Sequence, residues 1–168
     1  MHSSSFEQAA NTKRNAWGQS RYFLLSALVI ALDQWSKFRI EQMLPPYGQI
    51  RILPIFTLTR IYNRGAAFSF MNGPGAWRND LFLAIVAIVA VVIGNWILRL
   101  PSRPRMLPIA LSLTLGGALG NAIDRVVHGH VIDFILLHVN GWYYPAFNIA
   151  DSAITIGAVL FVWSLLKR

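Results

Sequence analysis

The chain contains no cysteine, which excludes disulfides, thiolate nucleophiles and cysteine-ligated metals together. Charge is scarce as well: 13% of the 168 residues are Asp, Glu, Lys or Arg, and only seven of those are acidic. An ordinary soluble domain carries about 25%. The formal charge is +8, yet the basic residues are scattered at the ends of apolar runs and form no long basic, aromatic-interleaved stretch. A nucleic-acid partner is therefore not expected. Also missing are H-E-x-x-H and G-x-S-x-G, and His128, His130 and His138 have no specific metal-ligand spacing, so neither a metal nor another cofactor is expected. Ser36 and Lys37 are adjacent, hence on different helix faces, and make no Ser-Lys dyad. No internal repeat or low-complexity tract is present.

What the chain does have is apolar length. Hydrophobic residues make up 55% of it and the mean hydropathy is +0.46, which points to one integral membrane domain, residues 22–168, behind a polar tail, residues 1–21. Four apolar segments, at about 22–40, 81–99, 106–127 and 147–166, each approach the roughly 20 residues that a spanning helix needs. The first carries Asp33 and Lys37 and lacks a small-residue cleavage site, so it reads as a retained span and not a signal peptide. The connection between spans two and three holds Arg99, Arg103 and Arg105, whereas His128 to Ala146 has no Lys or Arg. That asymmetry puts both termini in the cytoplasm, in agreement with Lys13, Arg14, Arg21, Lys167 and Arg168. Arg51, Arg60, Arg64 and Arg78 in the first outer loop run against the trend.

That loop, from about Glu41 to Asp80, is too long for a simple link. Its "QIRILPIFTLTRIYN" alternates in part between apolar and polar residues, between turn signals "PPYG" and "NRG", and predicts a small extracytoplasmic β-sheet between helices one and two. "GAAFSFMNGPGAW" follows, rich in Gly and aromatics and suited to the membrane interface. The expected fold is thus an all-α membrane protein with four transmembrane helices and this sheet.

Ionisable residues inside membrane segments point to function by default. Asn121, Asp124 and Arg125 share a helix face near the outer end of span three, and Asn148 and Asp151 repeat the Asn-x-x-Asp spacing at the outer end of span four. Between them "HVIDFILL" sets Asp133 among apolar neighbours. Three acids can thus meet at one depth. Each also has a structural reading. Asp124 can pair with Arg125, Asp133 can cap a short surface helix, and Asp151 suits a helix N-terminus. Asp33 and Lys37, four apart, can form an i,i+4 pair with Lys37 snorkelling outward. A pair of carboxylates is the equipment of an aspartic protease. Intramembrane acids also mark proton-coupled transporters, but those distribute acids across the membrane and use paired broken helices. A noncatalytic scaffold is the third possibility.

Five blocks carry a resemblance: "DQWSK" at 33–37, "NRGAAFSF" at 63–70, "GNAIDR" at 120–125, "VIDF" at 131–134 and "FNIAD" at 147–151. In this order they resemble the signature blocks of bacterial lipoprotein signal peptidase (signal peptidase II, prolipoprotein signal peptidase), with Arg64 standing where the family often has Thr. The resemblance implies an aspartic endopeptidase of the bacterial inner membrane, active at its outer face. It would cut diacylglyceryl-modified prolipoproteins before the lipidated cysteine. Asp133 and Asp151 fall on the catalytic pair. Asp124 is the competing candidate, here assigned with Asn63, Gly65, Asn121, Arg125 and Asn148 to support or substrate binding, and Asp33 and Lys37 fall on scaffold. The resemblance implies no cofactor, contact with membrane lipids, inhibition by globomycin-type cyclic peptides and a monomeric enzyme.

Overall fold

The computed structural model describes residues 19–65, 77–101 and 106–167. Most of the tail, most of "GAAFSFMNGPGAW", and Lys13, Arg14, Arg103, Arg105 and Arg168 lie outside the described residues. Where the tail is described it is anchored: Gln19 is buried, and its amide donates to the carbonyls of Leu100 and Pro101, both at 3.0 Å.

Among the described residues four long helices carry the fold: α1 (Tyr22–Met43), α2 (Trp77–Arg99), α3 (Met106–His128) and α4 (Ile149–Leu166). Within α2 the stretch Asn79–Arg99, and the whole of α3 and α4, are long and apolar enough to cross a membrane. Helix α1 holds Asp33, Lys37, Arg39 and Glu41 and is less purely apolar. Much of the apolar surface faces outward, including Leu24, Leu28 and Trp35 of α1, Ile88, Val91 and Val92 of α2, and Val159, Val162 and Trp163 of α4. An exposed apolar surface of this extent suits lipid, not water. The protein is a membrane protein.

Helix α3 packs against all three others. Small residues allow this, because lipid gives helices no hydrophobic reason to associate and close approach must supply the contact. Ser112, Gly116 and Gly120 recur every four residues toward α1. The Ser26 hydroxyl donates to the Ser112 carbonyl at 2.8 Å, and a Cβ on Gly116 would stand 2.8 Å from the Ser26 carbonyl oxygen. On the next face, a Cβ on Gly117 would strike the Ala150 carbonyl of α4.

Four strands form one antiparallel sheet in the order β1 (Gln49–Leu53), β2 (Phe56–Asn63), β3 (Val131–Val139), β4 (Trp142–Tyr143). The expected sheet exists, but only half of it lies between α1 and α2; the other half lies between α3 and α4. Asp133 accordingly sits on a strand and not at a surface-helix cap. The signal for the second half is Asn140-Gly141, with φ of 49° and 83°, the two-residue reversal favoured in tight hairpins. Gly129, φ +72°, ends α3, its N–H bonding to the Arg125 carbonyl at 3.1 Å, and turns the chain directly into β3. The sheet rests on one end of the helices through Phe134, Leu58 and Ile135 packed against Ile40, Leu44 and Ile149.

Candidate active site

Backbone pairing brings the acids together. β2 and β3 pair so that Asn63 lies opposite Val131 and Ile61 opposite Asp133, which puts the Asn63 and Asp133 side chains on one face of the sheet. Beyond β4 the chain returns to β3, where Phe147 and Ile135 exchange N–H···O bonds of 3.1 and 2.8 Å. The next residue, Asn148, is therefore held against Asp133 as it caps α4. Its side-chain oxygen accepts the Asp151 N–H at 2.9 Å, and Asp151 Oδ2 accepts the Asn148 N–H at 3.2 Å, a reciprocal capping box.

Asn148 is also the bridge between two carboxylates. Its Nδ2 donates to Asp133 Oδ1 at 2.8 Å while its backbone N–H serves Asp151. Asp133 receives a second amide from Asn63 (Nδ2 to Oδ2, 3.0 Å), and Asp151 one from Asn121 (Nδ2 to Oδ1, 2.7 Å). Asn63 is itself oriented by the Gly65 N–H, which donates to its Oδ1 at 2.8 Å. Gly65 has φ +89°, and a Cβ there would stand 3.1 Å from the Phe82 ring. Asp133 is 2% exposed. Burial pushes its carboxyl up to about 7, and the charge of Asp151 pushes the same way, against the amides of Asn63 and Asn148 and the charge of Lys37. Asp151 borders a groove of about 390 Å³ walled by Leu137, Tyr144, Phe147, Ser152, Thr155 and Ile156.

Asp124 is in a different setting. It is buried, and its partner is Lys37 at 2.8 Å, not Arg125. Gln34 Nε2 donates to its Oδ1 at 2.8 Å and the Ile132 N–H to its Oδ2 at 3.0 Å. Arg125 instead lies over the Phe82 ring, 4.6 Å from its centroid. The expected Asp33–Lys37 pair is present at 2.7 Å, but Lys37 does not snorkel: it is 2% exposed. Two acids compete for its ammonium, and both lie inward. Asp33 also accepts the Ala150 N–H at 2.9 Å, a second cap on α4. Gln34 was not singled out in the sequence, although an amide next to Asp33 in a membrane segment is a usable signal.

The helical body, the sheet at one end and paired carboxylates beside an apolar groove define a membrane enzyme of carboxylate type. A family model described as "Signal peptidase (SPase) II" matches residues 25–167. Among similar proteins is the lipoprotein signal peptidase of Alteromonas mediterranea, 48% identical over 148 residues, 88% of this chain and 81% of that protein. That of Pseudomonas syringae pv. tomato is 47% identical over 160 residues, covering 94% and 92%. Two solved structures, each described as a bacterial membrane enzyme obtained by the in meso method, share 32% identity, with TM-scores of 0.77 and 0.79. The first covers 88% of both chains, the second 89% of this chain and 94% of its own. The chain belongs to the signal peptidase II family of lipoprotein signal peptidases, which are aspartic peptidases acting on prolipoproteins. The transport reading finds no support.

Proposed function

We propose that Asp133 and Asp151 are the catalytic pair of this peptidase, which cuts diacylglyceryl-modified prolipoproteins immediately before the lipidated cysteine. The observation that carries the assignment is the double use of Asn148, one residue donating to both carboxylates. Asp133, with its carboxyl pushed up to about 7, is the protonated member at the start of the reaction. Asp151, reached from the groove, takes a proton from water as its oxygen attacks the scissile carbonyl. Asp133 hydrogen-bonds the carbonyl oxygen as the tetrahedral intermediate forms. As the C–N bond breaks, the proton taken by Asp151 passes to the leaving nitrogen, and the pair returns to one shared proton. Asn63, Asn121 and Asn148 hold the carboxylates in place. Arg125, half-buried on Phe82, supplies N–H donors for a substrate carbonyl.

In the same reading all four helices span the bacterial inner membrane, residues 22–168 form one domain, residues 1–21 form a cytoplasmic tail, and both termini are cytoplasmic. The sheet lies at the outer face. There the lipid tails of the substrate stay in the bilayer while the cut bond meets the carboxylates. The enzyme works as a monomer without a cofactor, and globomycin-type cyclic peptides compete for the groove. The test is cleavage of a diacylglyceryl-modified prolipoprotein by purified protein in detergent, with the unlipidated precursor as control. Cleavage of the lipidated form alone is expected; equal cleavage of both would overturn the substrate assignment.

A further inference from the structure

Lys37 lies at the centre of a buried cluster and touches neither member of the proposed pair. An ammonium has three N–H donors and no acceptor, and here all three are used: Asp33 Oδ2 at 2.7 Å, Asp124 Oδ2 at 2.8 Å and Asn121 Oδ1 at 3.1 Å. The first lies within α1 and the second already ties α1 to α3, so a scaffold role does not need the third. The third bond has a different consequence. A side-chain amide has one oxygen and one nitrogen, and an ammonium can face only the oxygen. With Asn121 Oδ1 held toward Lys37, and also accepting from Asn148 Nδ2 at 3.1 Å, its Nδ2 must point the other way, where it donates to Asp151 Oδ1 at 2.7 Å. Turned over, Asn121 would present its carbonyl oxygen to the Asp151 carboxylate and its NH₂ to an ammonium. Both contacts would be repulsive.

The other two bonds lead to the same place. Asp124 accepts the N–H of Ile132, the residue before Asp133, and Asp33 accepts the N–H of Ala150, the residue before Asp151. Every acceptor of Lys37 is thus one step from a proposed catalytic acid.

We infer that Lys37 is a positioning residue for the peptidase reaction, acting chiefly by locking the amide of Asn121 so that it donates to Asp151. The inference rests on the Asp133–Asp151 reading. It separates Lys37 from residues that merely hold the helices together, since a lock on Asn121 matters only while Asn121 is present.

The experiment is a double-mutant cycle on kcat and KM, measured per folded enzyme in detergent with a lipidated precursor: Lys37→Met, Asn121→Ala and the two combined. Lys37→Met is expected to lower kcat at least about 30-fold with KM within about threefold, and to lower it less than about threefold further when Asn121 is already Ala. Independent factors that multiply in the double variant, or a Lys37→Met enzyme with near-normal kcat, would overturn the inference. Lys37→Met leaves two buried acids without their cation. If it does not fold, the cycle is run with Lys37→Arg, which keeps the charge but spreads its donors over a planar fork that cannot reach three acceptors from one atom. The same coupling is expected there, and multiplying factors again overturn the inference. Asp151→Asn is the control: an inactive enzyme keeps the catalytic reading even if the cycle fails, and an active one removes that reading whatever the cycle shows.

Discussion

Asn121/Asp124 on α3 and Asn148/Asp151 at the capped start of α4 have the same spacing and lie at the same end of the molecule, yet their acids have opposite surroundings. Asp124 stands near the C-terminal end of its helix and is closed off by a cation, an amide and a backbone N–H. Asp151 stands in the first turn of its helix, held by N–H donors alone, with one side open to a groove and a second acid nearby. Spacing fixes which residues share a face. The partner across the interface sets the difference: the Asp124 carboxylate is closed off by Lys37, whereas the charge of Asp151 helps to push the Asp133 carboxyl up.

The largest effect expected from breaking this contrast is in Asp133→Asn. The change keeps the volume and a hydrogen-bonding side chain but removes the proton donor, so kcat should fall by roughly 10²–10⁴, the usual contribution of general acid–base catalysis. Both Asp133 oxygens accept an amide N–H and one of them becomes an NH₂, so the melting temperature in detergent should fall modestly while the protein still folds. Initial rates and melting curves on one preparation check both halves of the expectation.

Next in size is the pH response. Between the ordinary carboxylate value of 3.8 and about 7, folded protein keeps on Asp133 a proton that the unfolded chain has released. Folded stability must therefore fall as pH rises through that window. Activity should also fall on the alkaline side with a midpoint near 7, a value that belongs to the interacting pair. Melting temperatures and rates between pH 5 and 9 give both curves, and Asp133→Asn should flatten the first.

Asp124→Asn sharpens the contrast from the other side. It weakens the bond to Lys37, which still holds Asp33, so a stability loss of about 2 kcal/mol is expected, the range for a hydrogen bond to a charged group. Activity per folded molecule should drop far less than in Asp133→Asn. The smallest effect is Gly65→Ala. A left-handed Cβ costs about 1 kcal/mol or slightly more, and the Phe82 ring 3.1 Å away must shift. Asn63 then loses its fixed orientation, and a fall in kcat of less than about tenfold should follow.

Much of this was legible in the sequence. Apolar runs marked all four helices, three of them long and apolar enough to cross a membrane, and the repeated Asn-x-x-Asp spacing marked two helix ends whose side chains the fold brings into contact. The β-branched run before "NRG" marked β2. The other half of the sheet was missed because "VIDFILL" is a nearly unbroken apolar run with no alternation, a pattern that a fully buried strand shares with a helix. Asn140-Gly141 was the available clue. The partner of Asp124 was misread because sequence proximity favoured Arg125, whereas the ion pair forms between helices, with a residue 87 positions away. Lys37 was expected to reach outward, as a single lysine in a span normally does. Two inward acids reverse that, and only the packing of α1 on α3 brings the second of them within reach.

The central claim, that the acids of α4 and β3 react while the acid of α3 supports them, is tested most directly by single-turnover cleavage of a lipidated precursor by Asp151→Asn and Asp124→Asn, each normalised to folded protein. The account predicts that Asp151→Asn folds and does not cut, and that Asp124→Asn is less stable but cuts at a rate within about tenfold of the parent, a barrier change of about 1.4 kcal/mol. A well-folded, inactive Asp124→Asn beside an active Asp151→Asn would contradict it.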